Sequence, residues 1–420
     1  MKVGVISLGC SKNLVDTEVL LGKLKANNVK FVKDSKKAEV IIINTCGFIN
    51  PAKEESINTI LEHVKGKKVI VMGCLVQRYK EELQKEIPEV TAYFGTESWD
   101  HVVGFLGLKS TKESKRLITT PKSYAYLKIA EGCNRLCSFC TIPKIRGRHR
   151  SRPMEELLEE ARYIADQGIS EICIVSQDTT YYGRDLYGEN KLVELIKRLE
   201  KIEGIRWIRL LYLYPTEIDE RLIKHIGNSE KTLPYLDIPI QHTSDRVLRS
   251  MRRGYNGRFL RSLLKNIKEN IPNAVLRATL IVGYPEEGDE DFKALKEFVS
   301  EGYFHWVGVF TYSHEEDTYA YQLGDRLTEE EKEMRRQEVL AIQEEETKRR
   351  NQEFLGKELD LVVDEFAEEV QYVPVGRVYF QAPEVDGITY VESEETLKPG
   401  QWIKVKITQV GGYDLGAKKV

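Results

Sequence analysis

Residues 2–90 repeat one pattern three times: a short apolar run, then a stretch with apolar residues at helical spacing. "KVGVISLGC" leads into "NLVDTEVLLGKLKAN", "AEVIIINTCGF" into "PAKEESINTILEHV", and "KKVIVMGCLV" into "RYKEELQKEIP". Near-continuous apolar runs suit parallel strands covered on both faces, and apolar residues three and four apart mark the intervening stretches as helices. Pro51 stands where the second helix would begin, a position at which its missing N–H costs nothing. The expected unit is an open α/β sheet with right-handed crossovers.

"GLKSTKESKRLITTPKSY" has little apolar periodicity and reads as a linker. Alternation then resumes, with strands expected at "YAYLKIAEGC", "EICIVSQDT", "WIRLLYLYP", "YLDIPIQH", "VLRATLIVGYP" and "HWVGVFTYS". Helical patterns such as "MEELLEEARYIADQG" and "NKLVELIKRLEKI" lie between them. Six such units predict a partial or complete β/α barrel, whose sites gather at the carboxyl ends of the strands. "TEEEKEMRRQEVLAIQEEETKRRNQEFLG" predicts a long helix whose charges form a solvated face. Beyond it, "KELDLVVDEF", "PVGRVYFQAP", "GITYVES" and "QWIKVKITQVGGYDLGAKKV" are separated by Gly, Pro and acidic turns. They predict a small antiparallel β-barrel of about 70 residues. The expected fold is therefore α/β, with an open sheet domain at 1–108, a linker at 109–123, a β/α barrel at 124–350 and the small barrel at 351–420. The 420 residues suit about three domains at roughly 150 residues each.

The seven cysteines change the picture most. Cys10, Cys46 and Cys74 each follow a predicted strand, in "SLGC", "NTC" and "MGC". Ligands of doubly wound sheets bind at the carboxyl ends of strands, so these three thiols should converge although they stand 36 and 28 positions apart. Cys133, Cys137 and Cys140 share one loop, "CNRLCSFC", that follows the first strand of the second sheet. Cys173, inside "EICIVS", reads as a small buried core residue. No signal-peptide pattern and no run of about 20 apolar residues is present, so a cytoplasmic, membrane-free protein with reduced cysteines is expected.

Neither triad has an obvious fourth ligand. Cys-x3-Cys-x2-Cys suits three irons of a cuboidal [4Fe–4S] cluster, leaving the fourth iron open. A zinc site at this spacing would need a histidine, and His149 is the nearest. The loop "EGCNRLCSFCTIPKIRGRHRSRP" resembles the radical S-adenosylmethionine enzymes, in which the open iron binds the amino and carboxylate groups of that cofactor and an electron from the cluster cleaves it to a 5′-deoxyadenosyl radical. That resemblance places Phe139 beside the adenine, Ser176 and Gln177 of "SQDT" at the methionine amine, and Gly283 and Glu286 of "LIVGYPEE" on an adenine-contacting strand.

The whole chain resembles a narrower family, the methylthiotransferases, which join such an N-terminal domain to a radical domain and a C-terminal TRAM barrel. The resemblance implies two [4Fe–4S] clusters, one on Cys133, Cys137 and Cys140, the other on Cys10, Cys46 and Cys74. It implies S-adenosylmethionine as cofactor, insertion of sulfur and methyl at a C–H bond, and donors of electrons and sulfur. No catalytic residue beyond the cluster ligands is implied.

Two branches of the family differ in substrate, one modifying a tRNA adenosine and the other an aspartate of small-subunit ribosomal protein twelve. "SLGCSKNLVDTE", "RLLYLYPTEID", "YLDIPIQHTSDRVLRSMRR" and "APEVDG" resemble the second. Charge points the same way. The chain carries −3 overall, and residues 353–420 hold 13 Asp and Glu against 7 Lys and Arg. A domain gripping phosphates should be basic, whereas an acidic one complements a basic ribosomal protein. "RGRHRSR" is the opposing feature, its Arg146, Arg148, Arg150 and Arg152 reading as contacts to substrate or ribosomal RNA, or as partners of the acidic helix that follows. A non-catalytic iron–sulfur or zinc protein that binds RNA through the barrel is the alternative of a different class.

Overall fold

A computed structural model describes residues 1–110, 115–367 and 373–420. Part of the expected linker (111–114), and Glu368 and Glu369 of the barrel's acidic count, lie outside the described residues. The chain forms two compact units, one of residues 1–119, 131–150 and 313–318, the other of 120–130, 151–312 and 319–420.

In the first unit, β1 (Lys2–Ser7), β2 (Lys30–Phe31), β3 (Val40–Thr45), β4 (Lys68–Gly73) and β5 (Ala92–Phe94) form a parallel sheet in the order β2-β1-β3-β4-β5. Helices α1 (Ser11–Ala26), α2 (Asn50–His63), α3 (Cys74–Glu86) and α4 (Trp99–Phe105) connect or follow the strands. The continuous apolar runs are explained by burial on both faces. Ile41, Ile43, Val69 and Val71 pack with Ile60, Leu75 and Val76, while Val40, Ile42, Ile70 and Met72 pack with Leu20, Leu24, Val102 and Val103. Pro51 lies in the first turn of α2 as expected. Helix α3 begins four residues before the periodic stretch and kinks at Tyr79, whose φ is −130°. The short edge strands β2 and β5 escaped the pattern because two or three residues carry no readable period. Residues 313–318 join this unit through Glu315, a buried carboxylate that accepts from Lys53 Nζ and Arg78 Nη1 at 2.9 Å each.

The cysteine loop begins and ends in short strands, β7 (Ala130–Glu131) and β8 (Arg150–Ser151), and carries one turn of helix, α5 (Ile142–Ile145). It follows β6 (Tyr124–Lys128), the first of six parallel strands in the second unit. The others are β9 (Glu171–Val175), β10 (Trp207–Leu210), β11 (Thr232–Gln241), β12 (Val275–Val282) and β13 (Trp306–Thr311). Their order, β13-β12-β11-β10-β9-β6, leaves β13 and β6 unpaired with each other, so the expected β/α barrel is partial. Helices α6 (Met154–Asp166), α7 (Arg184–Tyr187), α8 (Leu192–Leu199), α9 (Glu220–Asn228), α10 (Asp245–Ser250), α11 (Gly257–Asn270) and α12 (Asp289–Ser300) connect them, and α13 (Glu329–Gln352) follows β13.

Helix α13 is opened by a capping box. Thr328 Oγ1 accepts from the Glu331 N–H while Glu331 returns a carboxylate to the Thr328 N–H. Its outer charges are solvated as expected, but its inner stripe is polar too. Lys332, Arg335, Gln343, Thr347 and Asn351 are buried with Val339. Each polar head has a partner: Lys332 meets Asp325 and Glu329, Arg335 meets Glu287, and Thr347 donates to the His305 carbonyl. Burying such groups costs several kcal/mol unless they are hydrogen-bonded, which fixes the register of α13 on the sheet.

The small barrel closes from β14 (Glu358–Ala367), β15 (Val373–Val378), β16 (Thr389–Glu392), β17 (Trp402–Val410) and β18 (Leu415–Lys419), in the order β14-β15-β16-β18-β17. All pairs are antiparallel except β16 with β18. The barrel covers the amino ends of the six-stranded sheet. Glu171, at the start of β9, receives Arg209 Nε at 2.8 Å and Arg377 Nη1 at 2.7 Å, and Arg377 also forks onto Asp364. Asp386 accepts from Tyr235 at 2.6 Å and from Arg277 at 3.3 Å, while Glu384 accepts from Tyr124 and Tyr126. Trp306 donates to the Phe380 carbonyl, and Trp402 donates to Ser170.

This joint revises the charge argument. Asp364, Glu384 and Asp386 are engaged internally, and Glu392 and Glu395 pair with Lys418 and Lys419. The acidic excess of the barrel is therefore partly structural and not an open field for a partner.

Two outcomes follow. Arg377→Met leaves Glu171 and Asp364 buried without their shared cation, and should cost about 3–5 kcal/mol, read as a lower denaturant midpoint. The second concerns His305, which burial holds neutral with its pKa lowered to about 3, the Asn351 hydrogen bond opposing that shift. The unfolded imidazole takes a proton near 6.5, so stability is full above that pH and declines as pH falls toward 3. Between pH 7.5 and 5, metal-free full chain should lose about 2 kcal/mol from this residue. His305→Gln should remove that portion of the pH dependence.

Candidate cluster and cofactor site

In the order β2-β1-β3-β4-β5, the order of strand succession reverses between β1 and β3, where doubly wound sheets open a crevice at their carboxyl ends. Cys10 caps the start of α1, Cys46 follows β3 directly, and Cys74 is the first residue of α3. Adjacent strands thus deliver the three thiols to one edge, where Cys46 feels the charge of Cys10, and Cys74 that of both.

Three local devices hold them there. Gly9 has φ +86°, and a Cβ on it would lie 2.7 Å from Cys46 Cβ and 2.9 Å from its sulfur. Ser56 Oγ clamps Cys46, accepting from its N–H at 3.1 Å and donating to its carbonyl at 2.9 Å. Asn13 Nδ2 donates to the Leu8 carbonyl at 2.7 Å, tying α1 to the turn after β1. Burial raises the Cys46 thiol pKa and pushes that of Cys74 up to about 12. The Arg146 guanidinium opposes both.

The second triad occupies the 131–150 loop, whose ends are cinched together. Gly132 has φ +76°, and a Cβ on it would lie 2.2 Å from the Arg148 carbonyl oxygen. The Cys133 N–H donates to the Gly147 carbonyl at 3.1 Å, and the Cys140 N–H donates to that of Cys137. Arg135 N–H points at Cys133 Sγ from 3.4 Å. Cys133 is buried, whereas Cys137, Phe139 and Cys140 are half-buried. His149 is buried, and its N–H donates to Asn134 Oδ1.

None of the six cysteines is in a disulfide, and both triads fit an iron–sulfur cluster of the open kind. Each offers three soft donors, where a cuboidal cluster takes one thiolate per iron. Among the described residues, no three Cys, His, Asp or Glu side chains are gathered as ligands of one metal ion. Cys173 lies in β9 and is fully buried, which raises its pKa well above the ordinary thiol value.

In the second unit, Ser176 follows β9 and meets Thr179 Oγ1 at 3.3 Å, with Gln177 half-buried next to it. Gly283 follows β12 with φ +75°, and its N–H donates to Glu287 Oε1 at 2.9 Å. Glu286 is turned toward Arg326 and Arg246. These positions occupy carboxyl strand ends, opposite the small barrel.

Sequence reasoning passed over three features here. Glu287, adjacent to Glu286, is fully buried and receives Arg335 at 2.6 Å and His242 at 3.1 Å. Tyr212 and Gln241, at the ends of β10 and β11, have φ of +61° and +69°. Such values strain non-glycine residues and cluster at functional sites. "IPIQHTSD" contained Gln241 and His242 but gave no sign of that backbone. The third feature is Arg146. Within a run read as a surface patch, it is buried against Asp16, Asn13, Glu131 and Cys74. Arg152 pairs with Glu160 of the acidic helix that follows, as one reading had it, whereas Arg150 pairs with Glu97.

Comparison with known proteins places these features in context. Family models match residues 2–95 (uncharacterized protein family UPF0004), 127–299 (radical SAM superfamily) and 355–420 (TRAM domain). A ribosomal protein uS12 methylthiotransferase RimO from Aquifex aeolicus is 65% identical, over 100% of this chain and 97% of its own. Its counterpart from a Sulfurihydrogenibium species is 51% identical, over 99% of this chain and 98% of its own. Among solved structures, the radical S-adenosylmethionine methyltransferase TsrM from Kitasatospora setae shares the fold at TM-score 0.53 and 12% identity, covering 74% of each chain.

Gly9 supplies a test of the first triad. Gly9→Ala adds a methyl where Cys46 stands, on backbone that disfavours a side chain by roughly 1–2 kcal/mol. After anaerobic reconstitution the variant should bind about half the iron of the parent. Full iron content would show that Cys46 is not held by this contact.

Proposed function

The chain belongs to the RimO family of ribosomal protein uS12 methylthiotransferases, and on that premise we propose that it replaces a β C–H of an aspartate in that protein by C–S–CH3. One observation carries the reading at the level of residues. Two separate cysteine triads occur in a single compact unit. When bound, the two [4Fe–4S] clusters and S-adenosylmethionine supply the electron, the hydrogen-abstracting radical, the sulfur and the methyl group.

The chain's own residues do the rest. Cys133, Cys137 and Cys140 hold one cluster on a loop whose closed neck limits its movement. Cys10, Cys46 and Cys74 hold the other at the sheet crevice. By the family resemblance, Ser176, Gln177, Gly283 and Glu286 would contact the cofactor, and Phe139 would do so from the cysteine loop. Glu287 fixes the Gly283 N–H and the Arg335 side chain, so the turn after β12 keeps one shape. In functional terms the divisions are sulfur handling at 1–108, a linker at 109–123, radical chemistry at 124–350 and the TRAM barrel at 351–420.

The partners are the free or ribosome-bound protein substrate, an electron donor and a sulfur donor, in the cytoplasm. Among the described residues no helix is long and apolar enough to cross a membrane.

Replacing each triad by alanine tests the division of labour. The Cys133, Cys137 and Cys140 variant should retain about four of about eight irons and lose reductive cleavage of S-adenosylmethionine. The Cys10, Cys46 and Cys74 variant should retain about four irons and cleavage, but yield no methylthiolated uS12 by mass spectrometry. Normal product from the latter sinks the assignment of that triad to sulfur transfer.

A further inference from the structure

Arg146 is 5% exposed, yet the reaction described above has no use for it. Its Nη1 donates to Asp16 and, at 3.2 Å, to Glu131 Oε2, while Nη2 donates to Asn13 Oδ1 at 3.0 Å and to Cys74 Sγ at 3.2 Å. The residue belongs to the loop of the second triad, but its charge is delivered to a sulfur of the first. A buried guanidinium needs satisfied donors, and here one of the acceptors is a candidate cluster ligand.

We propose that Arg146 is a positioning residue that holds Cys74 for the cluster on the N-terminal triad and, through its N–H···S bond and charge, raises that cluster's reduction potential. The proposal rests on the two-cluster reading. Hydrogen bonds to ligating sulfurs and local net charge are the protein's main means of setting such potentials. A donor to sulfur stabilises the reduced, more negative cluster, and Asp16 acts in the opposite sense through the guanidinium it partly neutralises. The contact also gives the radical loop a direct hold on the sulfur site. Displacement of the loop would withdraw a positive charge from the cluster that handles sulfur.

The test uses full-length protein carrying Cys133→Ala, Cys137→Ala and Cys140→Ala, so that only the N-terminal cluster reports. Iron content and a redox titration followed by electron paramagnetic resonance are read for Arg146, Arg146→Lys, Arg146→Gln and Asp16→Asn. With Arg146 present the protein should hold about four irons. Its absence of iron would bring down the two-cluster reading, and this proposal with it. Given iron, Arg146→Gln should change the oxidised-to-reduced ratio at fixed potential about tenfold toward oxidised, a shift of about 59 mV. Arg146→Lys keeps the charge without the planar fork and should shift the same way by less. Asp16→Asn should shift the opposite way. Should Arg146→Gln bind no iron, the opposed shifts of the Lys and Asn variants decide the matter. Iron retained with unmoved potentials overturns the proposal, as do Lys and Asn shifts of the same sign.

Discussion

A guanidinium stays buried only where partners meet it, and Arg146 meets its partners only if three distant pieces of chain converge. Helix α1 brings Asn13 and Asp16, the neck of the cysteine loop brings Glu131, and the start of α3 brings Cys74. Removing one member of such a buried network costs several kcal/mol because the remainder is left uncompensated. That penalty couples the convergence of the first triad to the placement of the 131–150 loop. Residues 131–150 pack with the N-terminal sheet for this reason, although they follow β6 in the chain.

The second unit obeys a different division, between the two ends of a parallel sheet. Its amino ends are closed by the small barrel through Glu171, Arg209, Arg377 and Asp364, a network with almost no exposure. Its carboxyl ends carry Ser176, Gly283, the strained Tyr212 and Gln241, and the Glu287 hub. Buried ion pairs close one end, while the other carries the left-handed Tyr212 and Gln241, as suits a scaffold with its site at the carboxyl ends.

Much of this was legible beforehand, and the reasons differ by element. Strands β3, β4, β6, β9 and β10 announce themselves as apolar runs because both faces are buried, and β1, β11, β12 and β13 do so although some of their positions are half-buried. The cysteine pattern survives in sequence because strand ends and loop spacing are themselves sequence features. What stayed hidden was pairing over long separations. Arg146 sits in "RGRHRSR", where nothing distinguishes it from Arg150; only the fold shows one inside and the other paired near the surface. Likewise α13 reads as a solvated charged helix, since a polar stripe has no hydrophobic period, yet Lys332, Arg335 and Gln343 are buried. The net charge of the barrel pointed to a protein substrate, but counting cannot tell Asp386 in a joint from Glu394 on a surface.

The central claim is that this scaffold directs a radical at a carbon of the substrate aspartate. Ribosomal protein uS12 made with side-chain-deuterated aspartate tests it most directly, by mass spectrometry of the 5′-deoxyadenosine formed anaerobically with reductant and S-adenosylmethionine. The account predicts deuterium in that product, in step with methylthiolated uS12. Methylthiolated protein accompanied by unlabelled 5′-deoxyadenosine would contradict it.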